Sequence, residues 1–163
     1  RKNFFNTNDL NPWILFISVD KKNPVKRYYL AKESIDYAKK FIPNLQFKVT
    51  EKVSPELMPG YLSCFNMVIS TSLFEGWPNN IKEALALSIP FVATNISDLS
   101  GIASRNKSCF VTSSNPADLG SAIVKCLSNN SNANVKLRDE VLEMSMEKIN
   151  SKYIQLYKEV ISK

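Results

Sequence analysis

The chain has 163 residues, 44% of them hydrophobic and 22% charged, and its 21 Lys and Arg against 15 Asp and Glu give a net charge of +6. That is room for one ordinary domain with its own core, and the composition is that of a folded globular protein. Histidine is absent, which excludes Ser-His-Asp and Cys-His catalysis and histidine-ligated zinc within the chain, and no apolar run approaches membrane-spanning length.

Residues 13–18, with Trp13, Ile14, Leu15, Phe16 and Ile17, predict a first strand. The loop after it, 19–27, carries Lys21, Lys22, Lys26 and Arg27 around Asn23 and Pro24. A helix over about 28–41 turns Ala31, Ile35, Ala38 and Ile42 inward, and 45–49 is a second strand leading into Thr50. Ser54, Pro55 and Glu56 offer an N-cap, a first-turn proline and an early acid, so a short helix to about Cys64 follows.

The apolar, β-branched run 67–72 has strand length, and 75–85 reads as a loop opening into a helix. Gly76 permits close approach to the backbone, and Pro78 suits the first helical turn. Over 79–88 the spacing turns Ile81, Leu85 and Ser88 inward and Asn79 and Glu83 outward. Residues 90–94 and 109–112 are strands four and five, with a loop over 95–101. Asn115 and Pro116 open a helix to about Leu127. A polar linker over 128–134 leads to a helical region with apolar faces at Leu137, Val141 and Met144, then at Ile149, Tyr153, Leu156 and Val160; the period slips near 146–148, which predicts a break.

Strands alternating with helices imply an α/β fold: a single Rossmann-like three-layer domain over 1–127 with a mostly parallel sheet, and a linker and helical region over 128–163 packing on it. Ligands of such sheets lie at the carboxyl ends of strands near a topological switch point, where the loops after strands one, three and four converge.

Glu75 and Glu83 stand eight positions apart across that loop-to-helix junction. Carboxylates accept well from vicinal hydroxyls, and the free N–H groups and dipole of a helix start attract an anion, so the segment suits a ligand carrying both. The plainer alternative makes Glu75 a helix cap and Glu83 a solvated acid. At these residues the sequence resembles a known family. The run 72–93, with Glu75, Gly76, Trp77, Pro78, Asn79, Lys82, Glu83 and the Ala84, Leu85, Ala86 stretch, looks like the E-x7-E motif of family 4 glycosyltransferases, retaining enzymes of the two-domain GT-B type. The likeness extends more loosely over 14–127.

The resemblance implies the carboxy-terminal, donor-binding half of a GT-B enzyme, one that transfers a hexose from a UDP- or GDP-sugar to a glycan or lipid-linked acceptor. It implies that Glu83 holds the ribose hydroxyls and Glu75 the hexose, while Lys26 and the turn from Gly76 through Trp77 and Pro78 to Asn79 meet the diphosphate. The arginine usual after the first strand is missing, so either Lys21 or Lys22 compensates or binding is weak. Thr50 falls where the base is held by backbone groups. Asp98 either binds a sugar hydroxyl or caps a turn. The resemblance implies that neither metal nor cofactor is needed, which agrees with the missing Asp-x-Asp. Acceptor binding belongs to an amino-terminal domain, and because the chain starts at Arg1 it is expected to be a fragment that binds donor without transferring it. The family's last helix often crosses to that domain; simple packing is the alternative.

Other readings compete less well. The lysines are dispersed, with no nucleic-acid signature beside them, so the charge fits a solvated surface first and peripheral contact with anionic membrane second. Cys64, Cys109 and Cys126 fit reduced core thiols, and with them a cytoplasmic location. No G-x-G-x-x-G or P-loop occurs. A noncatalytic nucleotide-sugar module and a GT-B epimerase stay open, whereas a receiver domain lacks its acidic cluster and the Asp that would end strand three.

Overall fold

Alternate residues along a strand face opposite ways, and here both faces are buried: Trp13 and Leu15 enter one apolar cluster, Ile14 and Phe16 the other. The computed structural model describes residues 1–18, 20–50, 52–129 and 136–162. A short α1 (Lys2–Phe5) precedes β1 (Trp13–Phe16), α2 (Tyr28–Ala38), β2 (Gln46–Val49), α3 (Met58–Leu62) and β3 (Met67–Ser70). Then come α4 (Asn79–Ala86), β4 (Phe91–Thr94), α5 (Leu99–Arg105), β5 (Phe110–Thr112) and α6 (Pro116–Ser128). Two helices, α7 (Asp139–Leu142) and α8 (Met146–Ile161), end the chain.

All strand pairings are parallel, in the order β2-β1-β3-β4-β5. The chain steps outward from β1 to β2, then returns to the other side of β1, so the switch point lies between β1 and β3, with Phe16 in register with Ile69. On one face α2 and α6 cover the sheet through Ala31, Ile35, Ala38, Leu119, Ala122 and Ile123. On the other, α3, α4, α5 and α7 do so through Leu62, Ile81, Leu85, Leu99, Ile102 and Val141. The expected three-layer Rossmann-like α/β domain is therefore the observed fold, with an entirely parallel sheet.

Several local expectations shift. Residues 55–57 form a turn and α3 starts only at Met58, whose N–H meets the carbonyls of Ser54 (3.1 Å) and Pro55 (3.2 Å); Ser54 thus contributes backbone rather than a side-chain cap. The proline in the first turn of α3 is Pro59. Pro78 is the extended N-cap of α4 rather than its first helical residue. Ser88 lies past the helix end at φ 58°, where its N–H reaches Leu85 and that of Ile89 reaches Ala84. That pair of bonds is a Schellman closure with serine in the left-handed position glycine usually takes.

The loop expected over 95–101 turns into α5 at Leu99, driven by burial of Leu99 and Ile102. The C-terminal break falls at 143–145, where Ser145 caps α8 by accepting from the Lys148 N–H, slightly before the expected slip. The anticipated linker residues 130–134, and Val19 in the first loop, lie outside the described residues. Residues 136–144 pack against the sheet domain through buried Leu137 and Val141 and an Arg105–Glu140 ion pair of 2.8 Å, whereas α8 buries none of its residues.

Candidate functional site

The loop after β1 is built to deliver Lys26. The Asp20 side chain accepts from the Lys22 N–H (2.8 Å), the Asn23 side chain from the Val25 N–H (2.9 Å), and the Asn23 carbonyl from the Lys26 N–H (3.1 Å). These are local turns of the kind Asp and Asn favour, and they fold the loop back over the sheet's carboxyl edge. There it is tied to the loop after β3, with the Leu73 N–H donating to the Val25 carbonyl (2.8 Å) and Thr71 Oγ1 donating to the carbonyls of Lys26 (2.8 Å) and Arg27 (3.0 Å).

Across that seam Lys26 Nζ donates to Glu75 Oε1 at 2.7 Å, and Ser72 Oγ reaches the same oxygen at 2.5 Å. Both charged side chains are largely buried, 26% and 18% exposed, while staying open to one side. Next to Glu75, a Cβ placed on Gly76 would meet nothing within 4 Å, so the space over this backbone is open. The Gly76 carbonyl accepts from Ser97 Oγ (2.6 Å), a bond that brings in the loop after β4. Ser97 holds φ 52° to make it, an uncommon conformation for a residue with a side chain. Loops after β1, β3 and β4 thus meet at the switch point.

Arg27 has a different task. At φ 49° it precedes α2, and its guanidinium donates to the carbonyls of Thr71 (2.6 Å) and Ser72 (3.0 Å) and to Ser114 Oγ (2.9 Å). All of its nitrogens are engaged by protein, and burial lowers its pKa. Arg27 therefore braces the edge, leaving Lys26 as the loop's inward cation. Lys21 lies over the Tyr28 ring (5.6 Å) and Lys22 is exposed, so neither joins the Glu75 cluster.

The N-cap Pro78 has no side-chain acceptor, and the Ile81 N–H donates to the Pro78 carbonyl (3.1 Å) and to Asn80 Oδ1 (2.9 Å), so the N–H groups of Asn79 and Asn80 are the ones this helix start leaves for a ligand. Trp77 packs partly into the core with Lys82 over its ring (5.3 Å), and Asn79 Oδ1 accepts from Lys82 Nζ (3.3 Å). One turn on, Glu83 sits on the outer face of α4 at the rim of a cavity of about 360 Å³ lined by Val53, Met58, Pro59, Leu62 and Leu87. The apolar lining desolvates the carboxylate and raises its pKa. Thr50 follows β2, with its N–H (3.0 Å) and hydroxyl (3.4 Å) on the Phe16 carbonyl. Asp98 starts α5 without capping it by a side-chain bond; its Oδ1 lies 2.8 Å from where a Gly101 Cβ would stand, and its charge acts on Arg105, so it faces along α5.

The structure thus gathers Lys26, Glu75 and Gly76, puts Glu83 one turn away on an apolar cavity, and leaves Lys21, Lys22 and Asp98 aside. Sequence reasoning missed Ser72 and Ser97 as partners of the motif and Arg27 as a brace. A serine or arginine in a polar loop carries no sequence signal for a particular carbonyl, nor for a positive φ. The thiols are buried and free: burial pushes Cys109 up to about 11 and raises Cys126 further, which removes both from nucleophilic chemistry. Among the described residues no cluster suits a metal ion and no helix is long and apolar enough to cross a membrane.

Comparison with known proteins bears on the family and the fold. The family described as glycosyl transferases group 1 matches residues 22–129, about two thirds of the chain. No curated protein sequence matches at a significant level. Among solved structures, a TarM mutant from S. aureus in complex with fondaparinux, α-GlcNAc-glycerol and UDP superimposes with a TM-score of 0.75 at 22% identity, over 90% of this chain and 35% of that one. Sucrose-phosphate synthase from Thermosynechococcus elongatus gives 0.74 at 17% identity, over 99% and 48%. A glycosyltransferase from Rickettsia africae gives 0.76 at 17%, over 98% and 50%. The chain spans half or less of the length of these structures.

Proposed function

This chain belongs to the glycosyl transferases group 1 family, and from that premise we propose that it is the donor-binding domain of a retaining glycosyltransferase, taking a nucleotide-diphosphate hexose. The observation that carries the reading is the Lys26–Glu75 pair, which spans the switch point beneath the open space at Gly76. A diphosphate over Gly76 would meet the Lys26 ammonium and the Asn79 and Asn80 N–H groups at the start of α4. As the bond from the sugar's anomeric carbon to the β-phosphate oxygen breaks, negative charge grows on the leaving diphosphate, and these donors stabilise it. Glu75 then faces the hexose. Glu83 takes the ribose hydroxyls, and the apolar cavity beside it takes the base.

UDP is the first nucleotide to try, since the TarM complex contains it. The acceptor, a glycan or lipid-linked sugar, belongs to a further domain. The surface for that domain is α8, which exposes Tyr153, Leu156, Tyr157 and Val160 and buries nothing here.

The test is binding of UDP, GDP, ADP and their sugars by ligand-detected NMR, with Glu83→Gln as control. Binding is expected for at least one nucleotide, weakened by about 1 to 3 kcal/mol in the variant, the cost of losing a hydrogen bond to a charged group. No binding at millimolar concentration, or equal binding by the variant, refutes the assignment.

A further inference from the structure

Glu75 is held by two groups of opposite character. Lys26 reaches it with a long side chain that is 26% exposed. Ser72 reaches it with one short hydroxyl from a residue that is 1% exposed. Ser72 is itself fixed, because its carbonyl accepts from Thr94 Oγ1 (2.7 Å) and from the Arg27 guanidinium (3.0 Å), tying it to β4 and to the first loop. Both the ammonium and the hydroxyl land on Oε1, and among the described residues no hydrogen bond ends on Oε2.

The donor-site reading above, on which this inference rests, adds a competitor for Lys26. A diphosphate draws the ammonium more strongly than one carboxylate does, since it brings more negative charge and more acceptor oxygens. Glu75 then loses its mobile anchor at the moment it must be aimed. A free Glu side chain scatters over several rotamers, and restricting it costs entropy. The Ser72 hydroxyl is short, buried and braced, and nothing in a nucleotide replaces it.

We propose that Ser72 is the positioning residue for Glu75: it occupies Oε1 and leaves Oε2 for a hydroxyl of the donor hexose. The role belongs to the sugar end of the ligand alone.

The test titrates the full chain calorimetrically with UDP, UDP-glucose, GDP and GDP-mannose, for wild type, Ser72→Ala, Glu75→Gln and the double variant. Wild type is expected to bind a sugar nucleotide more tightly than its parent nucleotide. Ser72→Ala should keep the parent nucleotide's Kd within about twofold, which also shows that it folds, and lose about tenfold toward the sugar nucleotide, the scale of a hydrogen bond to a charged group. In the double variant the Ser72 change should add nothing to Glu75→Gln, because the two act through one contact. A sugar preference that survives in Ser72→Ala, is absent from wild type, or falls additively in the double variant overturns the role of Ser72. So does equal loss of nucleotide and sugar nucleotide. Failure of wild type to bind any of the four ligands overturns the donor-site reading, and the Ser72 proposal with it.

Discussion

Lys26 Nζ lies 2.7 Å from Glu75 Oε1, a contact between residues 49 positions apart that joins the loops on either side of the sheet's switch point. Half-open ion pairs add little to stability, since screening and side-chain entropy offset most of the attraction. Lys26→Met should therefore cost under about 1 kcal/mol in urea unfolding, within the range of exposed pairs. It should weaken nucleotide-diphosphate binding by about tenfold, the loss expected for a charge-assisted hydrogen bond. A variant that unfolds easily yet binds normally would make the pair a structural clip.

Arg27 sits beside Lys26 and is expected to behave oppositely. Its fork satisfies two backbone carbonyls and a hydroxyl from the ends of β3 and β5, which a lysine's single ammonium cannot reproduce. Arg27→Lys should lower unfolding free energy by about 2 kcal/mol, consistent with loss of charge-assisted bonds in a half-buried setting. Any fall in affinity for the parent nucleotide should vanish when binding is measured well below the melting point. Full stability in Arg27→Lys would show that the fork is dispensable.

Glu83 provides a pH signature. Apolar surroundings raise its pKa in the folded state, so over the interval between its unfolded and folded values the native chain holds more proton than the unfolded one. Stability from this group is thus greatest below both values and declines as pH rises through the interval. Glu83→Gln should be at least as stable as wild type at neutral pH, with the difference closing as pH falls to about 4, near the ordinary Glu range. Chemical denaturation across pH measures it, and a variant less stable at pH 7 would mean that the carboxylate makes a stabilising contact.

What the sequence discloses, and what it hides, follows the range of the interactions involved. Strands buried on both faces leave continuous apolar runs, so β3 and its neighbours were readable from Met67, Val68 and Ile69, and Asn115 with Pro116 marked α6 by a local cap. Alpha 5 was hidden because Ser100 and Gly101 are poor helix formers, and burial of Leu99 and Ile102 overrides them. The start of α3 is ambiguous in the sequence because Ser54, Pro55 and Glu56 fit a turn as well as a cap. At the site, the spacing of Glu75 and Glu83 was visible, whereas Ser72 against Glu75 and Ser97 against Gly76 depend on side-chain direction and on φ, which no residue pattern encodes.

Ser88 is a place where the sequence departs from the local optimum. It takes φ 58° to close α4 through the Ser88-to-Leu85 and Ile89-to-Ala84 bonds. A side chain in the left-handed region costs about 1 kcal/mol relative to glycine. Ser88→Gly should raise unfolding free energy by somewhat less than that, because glycine also gains freedom in the unfolded chain. Lower stability in the variant would mean that the Ser88 side chain makes a contact worth more than the strain.

Gly120 shows the reverse case, a glycine that the packing requires. It lies within α6 where that helix crosses α2, and an added Cβ would stand 2.5 Å from Tyr37 Cδ1 and 2.9 Å from the Ser34 carbonyl oxygen. The ring could swing aside, but the carbonyl belongs to the backbone of α2, so the helices would have to separate. Alanine brings back about 1 kcal/mol of helix propensity, while overpacking of a close-packed core costs about 1 to 3 kcal/mol. The Ser34 carbonyl and the Tyr37 Cβ, also 2.9 Å away and fixed by its own backbone, put this position toward the upper end, so Gly120→Ala should be destabilised by about 1 to 2 kcal/mol net in urea unfolding. Nucleotide affinity at low temperature should hardly change, since α6 lies on the opposite face of the sheet from α4. A stabilised Gly120→Ala would show that α2 and α6 can move apart at little cost and that their contact is looser than Tyr37 and Ser34 make it.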